Sequence, residues 1–205
     1  MEILLLRHGE TLWNFEKRCQ GLTNLELNET GLGQARDVAT HLRNVKIDAV
    51  YSSNLKRAIQ TANAISEFHG LEVITDSDFR ELNHGEFEGL TFTEIQATYP
   101  DFIQAWRAKP ANLAIPGGES IADVEKRAWR GIENIKRHYH HKTVVIVSHQ
   151  FPMVSILCRI TGTPLNNYRS FHVDPCGLTR VSYSEKQGWK LTQANDRSFV
   201  NPPSV

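Results

Sequence analysis

The feature that most constrains this chain is a short apolar run, Leu4-Leu5-Leu6, that ends abruptly in Arg7-His8-Gly9. The apolar residues are continuous rather than alternating, which is typical of a parallel strand buried on both faces. The polar residues then fall at the carboxyl end of a central strand, where open α/β sheets bind their ligands. Gly9 would let the backbone turn sharply there and keep a Cβ away from whatever lies beside it. Because a guanidinium beside an imidazole suits an anion better than a core, the sequence predicts an anion site that holds a nucleophile.

A second apolar run, residues 143–147, is rich in β-branched side chains and ends in Ser148-His149-Gln150. If the two strands are neighbours, they deliver His8 and His149 to the same edge of the sheet. A Ser/Asn turn at residues 52–54 leads into a helix whose first turn carries Arg57. The start of a helix offers free N–H groups and the positive end of the helix dipole, so Arg57 is expected to strengthen the anion site.

Composition argues against several classes of protein. A length of 205 residues indicates one domain, and the formal net charge of zero provides no field that attracts nucleic acid or an acidic membrane. The three cysteines, Cys19, Cys158 and Cys176, are scattered, which argues against a disulfide framework or a zinc site. The chain opens without a signal-peptide pattern, and no apolar run approaches the roughly 20 residues that span a bilayer. We therefore expect a cytoplasmic protein with no nucleic-acid partner and no membrane partner.

Strand and helix patterns alternate along the chain, which predicts an α/β fold with a mostly parallel central sheet and helices on both faces. The patterns predict helices at about 31–43 and 55–69, a long helix after a Ser120 cap, and a closing β-hairpin from 178–184 and 189–193. The apolar stripe of the first helix, which includes Leu32, is expected to lie in the core.

Residues 78–118 break this alternation with two short helical patterns, several aromatic residues and a closing Pro- and Gly-rich stretch. We predict that they form a helical and loop lid, inserted after the third or fourth strand and lying over the carboxyl edge of the sheet. The whole chain, residues 1–205, would then be a single domain with a flexible tail at 198–205.

Four separate motifs occur together in this chain: Arg7-His8-Gly9, Arg57 within Leu55-Lys56-Arg57-Ala58-Ile59-Gln60-Thr61, Glu81, and Ser148-His149. With these motifs in this order, the chain resembles the histidine phosphatase superfamily, which is phosphoglycerate mutase-like in fold. Further features of that family are also present: Asn14, Gln20-Gly21 and Pro116-Gly117-Gly118. The resemblance extends over almost the whole chain. Taken one at a time, each residue would be an ordinary surface charge or a structural histidine.

The resemblance implies a chemistry for each residue of the set. His8 would attack phosphorus and become a phosphohistidine, while Arg7 and Arg57 clamp the phosphoryl oxygens in bidentate fashion. His149 would donate a hydrogen bond to the same oxygens. Glu81 would protonate the leaving oxygen and then activate water. Phosphoryl transfer depends mostly on positioning and charge, so such a cage is expected to need neither metal nor cofactor.

Five further residues are predicted to contact the substrate: Asn14, Gln20, Gly21, His84 and Gln150. A metal site built from His8, His149 and Glu81 is the main alternative, and we rank it lower because two arginines in one pocket repel a dication. Residues 138–141 carry three histidines at a helix end before a strand, and we interpret them as a solvated cluster.

Several functions fit the resemblance. Mutases of the family usually carry a longer insertion after the Glu81 equivalent, often with an Arg-His-Tyr-Gly-like run. This chain has Leu82-Asn83-His84-Gly85 and a shorter segment, which favours a phosphatase that hydrolyses a small phosphorylated metabolite. Phosphoserine is the leading candidate substrate, and an α-ribazole phosphatase or a broad-specificity phosphatase is an alternative. A phosphoglycerate mutase and a non-catalytic phosphate-binding module also remain open, although a binding module has no need of Glu81. A homodimer is possible.

Overall fold

The computed structural model describes residues 1–201, which form a six-stranded sheet with helices on both faces. The strands are β1 (Glu2–Arg7), β2 (Ala49–Ser52), β3 (Val73–Thr75), β4 (Thr143–Ser148), β5 (Leu178–Ser184) and β6 (Gly188–Asp196). Their spatial order is β3-β2-β4-β1-β5-β6. The first four strands pair in parallel, and the hairpin β5–β6 adds to β1 in antiparallel fashion. The predicted fold class is confirmed.

The α-helices are α1 (Leu12–Phe15), α2 (Glu29–Leu42), α3 (Lys56–His69), α4 (Phe92–Thr98), α5 (Pro100–Ala108), α6 (Ile121–His138) and α7 (Gln150–Thr161). Short 3₁₀ turns occur at Ser77–Phe79, Gly85–Phe87 and Leu165–Ser170. Helix α6 begins with a capping box, in which the Ser120 side chain accepts the Asp123 N–H and the Asp123 carboxylate accepts the Ser120 N–H.

The central strands are buried on both faces, as their unbroken apolar runs indicate. On β1, Ile3 and Leu5 belong to the same buried cluster as the apolar stripes of α6 and α7. Leu4 and Leu6 point the other way and pack with α2 and α3. Because side chains alternate along a strand, one continuous apolar strand supplies both cores.

The register of β1 against β4 positions the two histidines. Arg7, the last residue of β1, lies opposite Ser148, the last residue of β4. The next residue on each strand is therefore a histidine, and both histidines leave the sheet at its carboxyl edge. The prediction that neighbouring strands bring His8 and His149 together follows directly from this pairing.

Residues 78–118 follow the third strand and contain the end of the first 3₁₀ turn, the whole of the second, and helices α4 and α5. Their large apolar side chains, among them Phe87, Ile103 and Trp106, belong to the same core cluster as α6 and α7. This segment is thus packed onto the domain by a continuous apolar contact, and its inner side faces the carboxyl edge of β1 and β4.

Two details differ from the sequence-based expectations. Leu32 is 39% exposed, because helical spacing identifies a stripe but not the edge at which solvent begins. The first four residues of the predicted flexible tail, 198–201, contact the rest of the domain. The ring of Phe199 stacks on His41 at 4.3 Å between centroids, and Asn201 donates hydrogen bonds to the Asp37 carboxylate. The rest of that tail, 202–205, lies outside the described residues. No helix within residues 1–201 is long and apolar enough to cross a membrane.

Candidate active site

A cavity of about 460 Å³ opens at the carboxyl edge of the sheet, beneath residues 78–118. Seven of the ten residues predicted for the site line it: Arg7, His8, Asn14, Gln20, Glu81, His84 and Gln150. Arg57 and His149 are fully buried directly behind His8. The sequence-based site is therefore brought together as one constellation.

The imidazole of His8 is held in one orientation and one tautomer. Its Nδ1 lies 2.7 Å from the carbonyl oxygen of Gly9, which only accepts, so Nδ1 carries the ring proton. The lone pair is therefore on Nε2. Burial, then the charges of Arg57 and Arg7, keep the pKa of His8 well below its ordinary value. The ring is neutral near pH 7, which is the form that acts as a nucleophile.

Two guanidinium groups flank His8. Arg57 donates from Nε to the His8 Nε2 at 3.3 Å, and its other nitrogens donate to the carbonyls of Thr23 and Gly21 at 2.9 and 2.8 Å. Burial lowers the pKa of Arg57 to about 10, so it remains a cation. Arg7 donates to the Val173 carbonyl at 2.8 Å, and its buried Nε has no hydrogen-bond partner among the described residues. Both groups keep N–H donors free for an anion.

The second histidine lies against the first, with 4.9 Å between the ring centroids of His149 and His8. The His149 Nε2 is 2.6 Å from the Ser53 hydroxyl, whereas its buried Nδ1 is unpaired within the part of the chain that the structure describes. Burial, followed by the charge of Arg57, lowers the pKa of His149 well below its ordinary value. A neutral, buried ring with an unpaired nitrogen is suited to bonding an incoming oxyanion.

Glu81 is bound at the N-terminus of α7. Its carboxylate accepts the backbone N–H groups of Gln150 at 3.0 Å and Phe151 at 3.1 Å, and also the N–H of Leu82 at 2.8 Å. The first N–H groups of a helix have no partner inside the helix, and the helix dipole favours a negative charge there. Glu81 is therefore a positioned carboxylate at the cavity wall, within the same site as His8.

The backbone that carries Glu81 is fixed by a single arginine on α6. Arg127 donates to the carbonyls of Asp78, Arg80 and Glu81, and its remaining N–H groups bind both carboxylate oxygens of Glu119. All five guanidinium N–H groups are thereby used. The arrangement fixes the position of Glu81 without contacting the cavity.

The residues predicted to contact the substrate differ in whether they keep a polar atom free for it. Gln20 bonds the Thr11 hydroxyl through Oε1, and its buried Nε2 has no protein partner within residues 1–201, so this donor is available to a ligand. Asn14 uses its Oδ1 to cap α1 at Thr11. His84 contacts the Leu82 carbonyl through Nδ1, so its Nε2 remains for the cavity.

Gly21 lies beside the cavity rather than in its lining, and its carbonyl holds Arg57. A Cβ there would come within 2.7 Å of the Leu82 carbonyl, so the position requires glycine for close packing. The same holds for Gly9: a Cβ would meet the Gly31 carbonyl at 2.5 Å. Gly9 thus keeps a Cβ away from a close neighbour, as expected, and that neighbour is α2.

Three residues of the site were not identified from the sequence. Ser53 binds His149, and Thr61 accepts the Gly9 N–H at 3.1 Å. Glu88 accepts the N–H groups of three consecutive residues, 21–23, and so shapes the loop whose carbonyls hold Arg57. The Ser52-Ser53 turn was the only local signal of these roles.

Within residues 1–201, no group of three or more His, Cys, Asp or Glu side chains is arranged to hold a metal ion. His138, His140 and His141, at the end of α6, are exposed, as predicted for a solvated cluster.

The chain matches known proteins over nearly its whole length. A family model described as "Histidine phosphatase superfamily (branch 1)" matches residues 3–197. Phosphoserine phosphatase 1 of Hydrogenobacter thermophilus is 34% identical over 187 residues, covering 91% of this chain and 89% of that protein. Probable phosphoglycerate mutase GpmB of Yersinia pestis is 33% identical over 213 residues, covering 100% and 97%. The solved structure of YhfR from Bacillus stearothermophilus matches with a TM-score of 0.91 at 28% identity, covering 98% of this chain and 99% of that one.

Proposed function

The chain belongs to the histidine phosphatase superfamily, branch 1, and we propose that this phosphoric monoester hydrolase works without a metal, through a phosphohistidine on His8. The Nε2 lone pair of His8 attacks phosphorus, so that a P–N bond forms while the P–O bond to the leaving group breaks. The leaving oxygen takes a proton from Glu81. Water then attacks the phosphohistidine, gives a proton to the Glu81 carboxylate, and releases phosphate and the free imidazole.

The observation that carries this proposal is the tautomer of His8. Because the Gly9 carbonyl fixes the proton on Nδ1, the nucleophilic lone pair is on Nε2, between Arg57 and the cavity. Arg7, Arg57 and the unpaired nitrogen of His149 surround the transferred group with donors, which stabilise the charge that spreads over its oxygens. The neutral state of both buried imidazoles agrees with these roles.

Glu81 has two tasks in this mechanism. As the acid, it gives its proton to the leaving oxygen in the first step. As a carboxylate, held at the cavity wall by three backbone N–H groups, it takes a proton from water in the second step.

The substrate is proposed only as a small phosphorylated metabolite. Phosphoserine stays the leading candidate from the sequence, and a relative of 34% identity carries that substrate in its name. A mutase remains the second candidate, because a relative of 33% identity is named as one. Retention of the phosphoryl group distinguishes the two: a mutase returns it to another hydroxyl, whereas a phosphatase releases it to water. The possible homodimer stays a prediction.

The test is a phosphate-release panel run with a chelator present, with p-nitrophenyl phosphate, phosphoserine, 3-phosphoglycerate and α-ribazole phosphate. We expect wild type to release phosphate, His8→Ala to release none, and His172→Ala to equal wild type. His172 is the matched control because its ring is exposed and lies outside the cavity lining. Loss of wild-type turnover on chelation would contradict the metal-free reaction. An inert wild type would favour a phosphate-binding module instead.

A further inference from the structure

The cavity has two chemically different ends. At the His8 end, free donors are contributed by Arg7 and Gln20. The opposite end is a continuous aromatic wall: Phe87 and Phe102 are 5.0 Å apart between ring centroids, Phe102 and Trp106 5.6 Å, and Trp106 and Phe151 6.4 Å. The phosphoryl group occupies the first end in the proposed reaction, so the leaving group must lie against the second.

Polar atoms in this wall are already paired with one another. The Trp106 indole N–H donates to the Tyr168 hydroxyl at 3.3 Å, and the Phe151 ring packs against Tyr168 with 5.5 Å between centroids. Ile95, Ile103 and Ile115 complete the wall with aliphatic carbon. A hydroxylated or charged leaving group would lose its water there and gain few hydrogen bonds in return.

An ammonium group fits this end least well. Glu81 is the only acidic side chain that lines the cavity among residues 1–201, and its oxygens are held by backbone N–H groups beside His8. The other charged groups at the mouth are cations, including Lys17 and Arg169, and the Arg169 guanidinium stacks 4.7 Å above the Tyr168 ring. An amine that reaches the mouth would therefore meet positive charge and no counter-ion, whereas an anionic group that reaches past the wall to the mouth would not be repelled.

The apolar surface continues outward to solvent. Phe92 lines the cavity and is 54% exposed, so its apolar ring is partly open to solvent. Apolar and aromatic side chains are the usual lining of small-molecule sites. The apolar lining of the cavity thus extends from the aromatic wall to solvent at Phe92.

We propose that the substrates of this site are phosphomonoesters of apolar alcohols about the size of a phenylalkyl group, neutral or anionic at the far end but not cationic. This inference rests on the proposed phosphatase function and names its substrate class. It predicts a lower kcat/KM for phosphoserine, which carries an ammonium group, than for an uncharged aromatic ester.

The test compares primary alkyl phosphates, so that the leaving oxygens are of one kind: 2-phenylethyl phosphate, glycerol phosphate, phosphoserine and phosphoethanolamine. We expect kcat/KM for 2-phenylethyl phosphate to exceed that for phosphoserine and phosphoethanolamine by roughly tenfold or more. Equal or reversed values, in an enzyme that turns over p-nitrophenyl phosphate, would overturn this inference and leave the phosphatase function intact. Failure with every ester, p-nitrophenyl phosphate included, would instead overturn the function.

A variant pair tests whether the wall causes the preference. Phe102 is half-buried in the wall, where its ring packs against Phe87 and Trp106. Phe102→Glu should lower kcat/KM for 2-phenylethyl phosphate and raise it for phosphoethanolamine, since it supplies the missing counter-ion. Phe102→Leu, the matched apolar control, should keep the wild-type ranking. An unchanged ranking in folded Phe102→Glu would contradict a role for the wall.

Discussion

The hydroxyl of Ser53 lies 2.6 Å from Nε2 of the buried His149 imidazole. The Ser53 oxygen also accepts the Leu55 N–H at 3.2 Å, and we expect the hydroxyl to donate its own proton to Nε2. The ring proton of His149 would then be on Nδ1, the nitrogen without a protein partner within residues 1–201. In that tautomer His149 is a donor for an oxyanion.

Ser53→Ala should reduce kcat by roughly tenfold, because the imidazole loses the contact that fixes its tautomer. Ser53→Thr retains the hydroxyl and should recover most of the activity. Nitrogen chemical shifts of His149 provide a readout that a merely structural role would not change: the protonated nitrogen should be Nδ1 in wild type and mixed in Ser53→Ala. Wild-type kcat in the alanine variant would exclude this positioning role.

The two neutral histidines predict a specific loss of stability in acid. Burial and the neighbouring arginines hold the pKa of His8 and His149 well below the ordinary value, so the unfolded chain binds protons below about pH 6.5 that the folded chain does not. The free energy of unfolding should therefore fall as the pH drops from about 6.5, by up to about 1.4 kcal/mol per pH unit for each ring. The fall ends where the pH passes the folded-state pKa.

Denaturant titrations between about pH 7.5 and 5 measure this slope. His8→Gln should reduce it by up to the share of one imidazole, whereas His140→Gln, which changes an exposed ring, should leave it unchanged. Equal slopes in wild type and His8→Gln would show that His8 binds its proton equally in both states, against the neutral nucleophile.

Arg127 is expected to act on catalysis through Glu81. Arg127→Met removes the donors to three carbonyls of the Glu81 segment and leaves Glu119 without its partner, so kcat should fall while KM changes little. Loss of one partner of such a buried pair also costs about 3–5 kcal/mol of stability. The double variant Arg127→Met with Glu119→Gln should recover part of the stability but not kcat.

Arg130→Met is the matched control on the same helix, since Arg130 is largely exposed and pairs with the Asp78 side chain. It should retain wild-type kcat. If Arg127→Met is folded and also retains wild-type kcat, the Glu81 segment does not depend on this arginine.

Glu81→Gln should discriminate between leaving groups. A general acid matters most when the leaving oxygen is strongly basic, so turnover of 2-phenylethyl phosphate should fall by about 10²–10⁴-fold. Formation of the phosphoenzyme from p-nitrophenyl phosphate should fall far less, because nitrophenolate leaves without a proton. Single-turnover measurements on both esters provide the comparison, and equal losses would argue against Glu81 as the acid.

Those residues of the site that follow an apolar strand or begin a helix could be predicted from the sequence. The apolar runs before His8 and His149 identify buried parallel strands, and their neighbouring positions then follow from the sheet order. Arg57 was recognisable because it lies in the first turn of α3. These residues also belong to motifs that identify the family.

Ser53, Arg127 and the aromatic wall could not be predicted in the same way, because each depends on contacts between residues far apart in sequence. Ser53 meets a ring 96 positions away, and Arg127 binds a carbonyl 49 positions away. The aromatics of residues 78–118 were visible in the sequence, but the face that they present to the cavity depends on how that segment packs against α7. The proposed leaving-group preference accordingly rests on the structure and not on the sequence.

We propose that Nε2 of His8 is the nucleophile, and trapping the phosphorylated intermediate tests this most directly. Wild type is mixed with p-nitrophenyl phosphate, quenched in alkali within the first turnover, and the phosphoenzyme is examined by phosphorus NMR and peptide mass spectrometry. We expect one acid-labile phosphoryl group, on Nε2 of His8, which is absent in His8→Ala and present in His172→Ala. A phosphoryl group on Nδ1 or on His149, or efficient turnover with no phosphoenzyme, would contradict it.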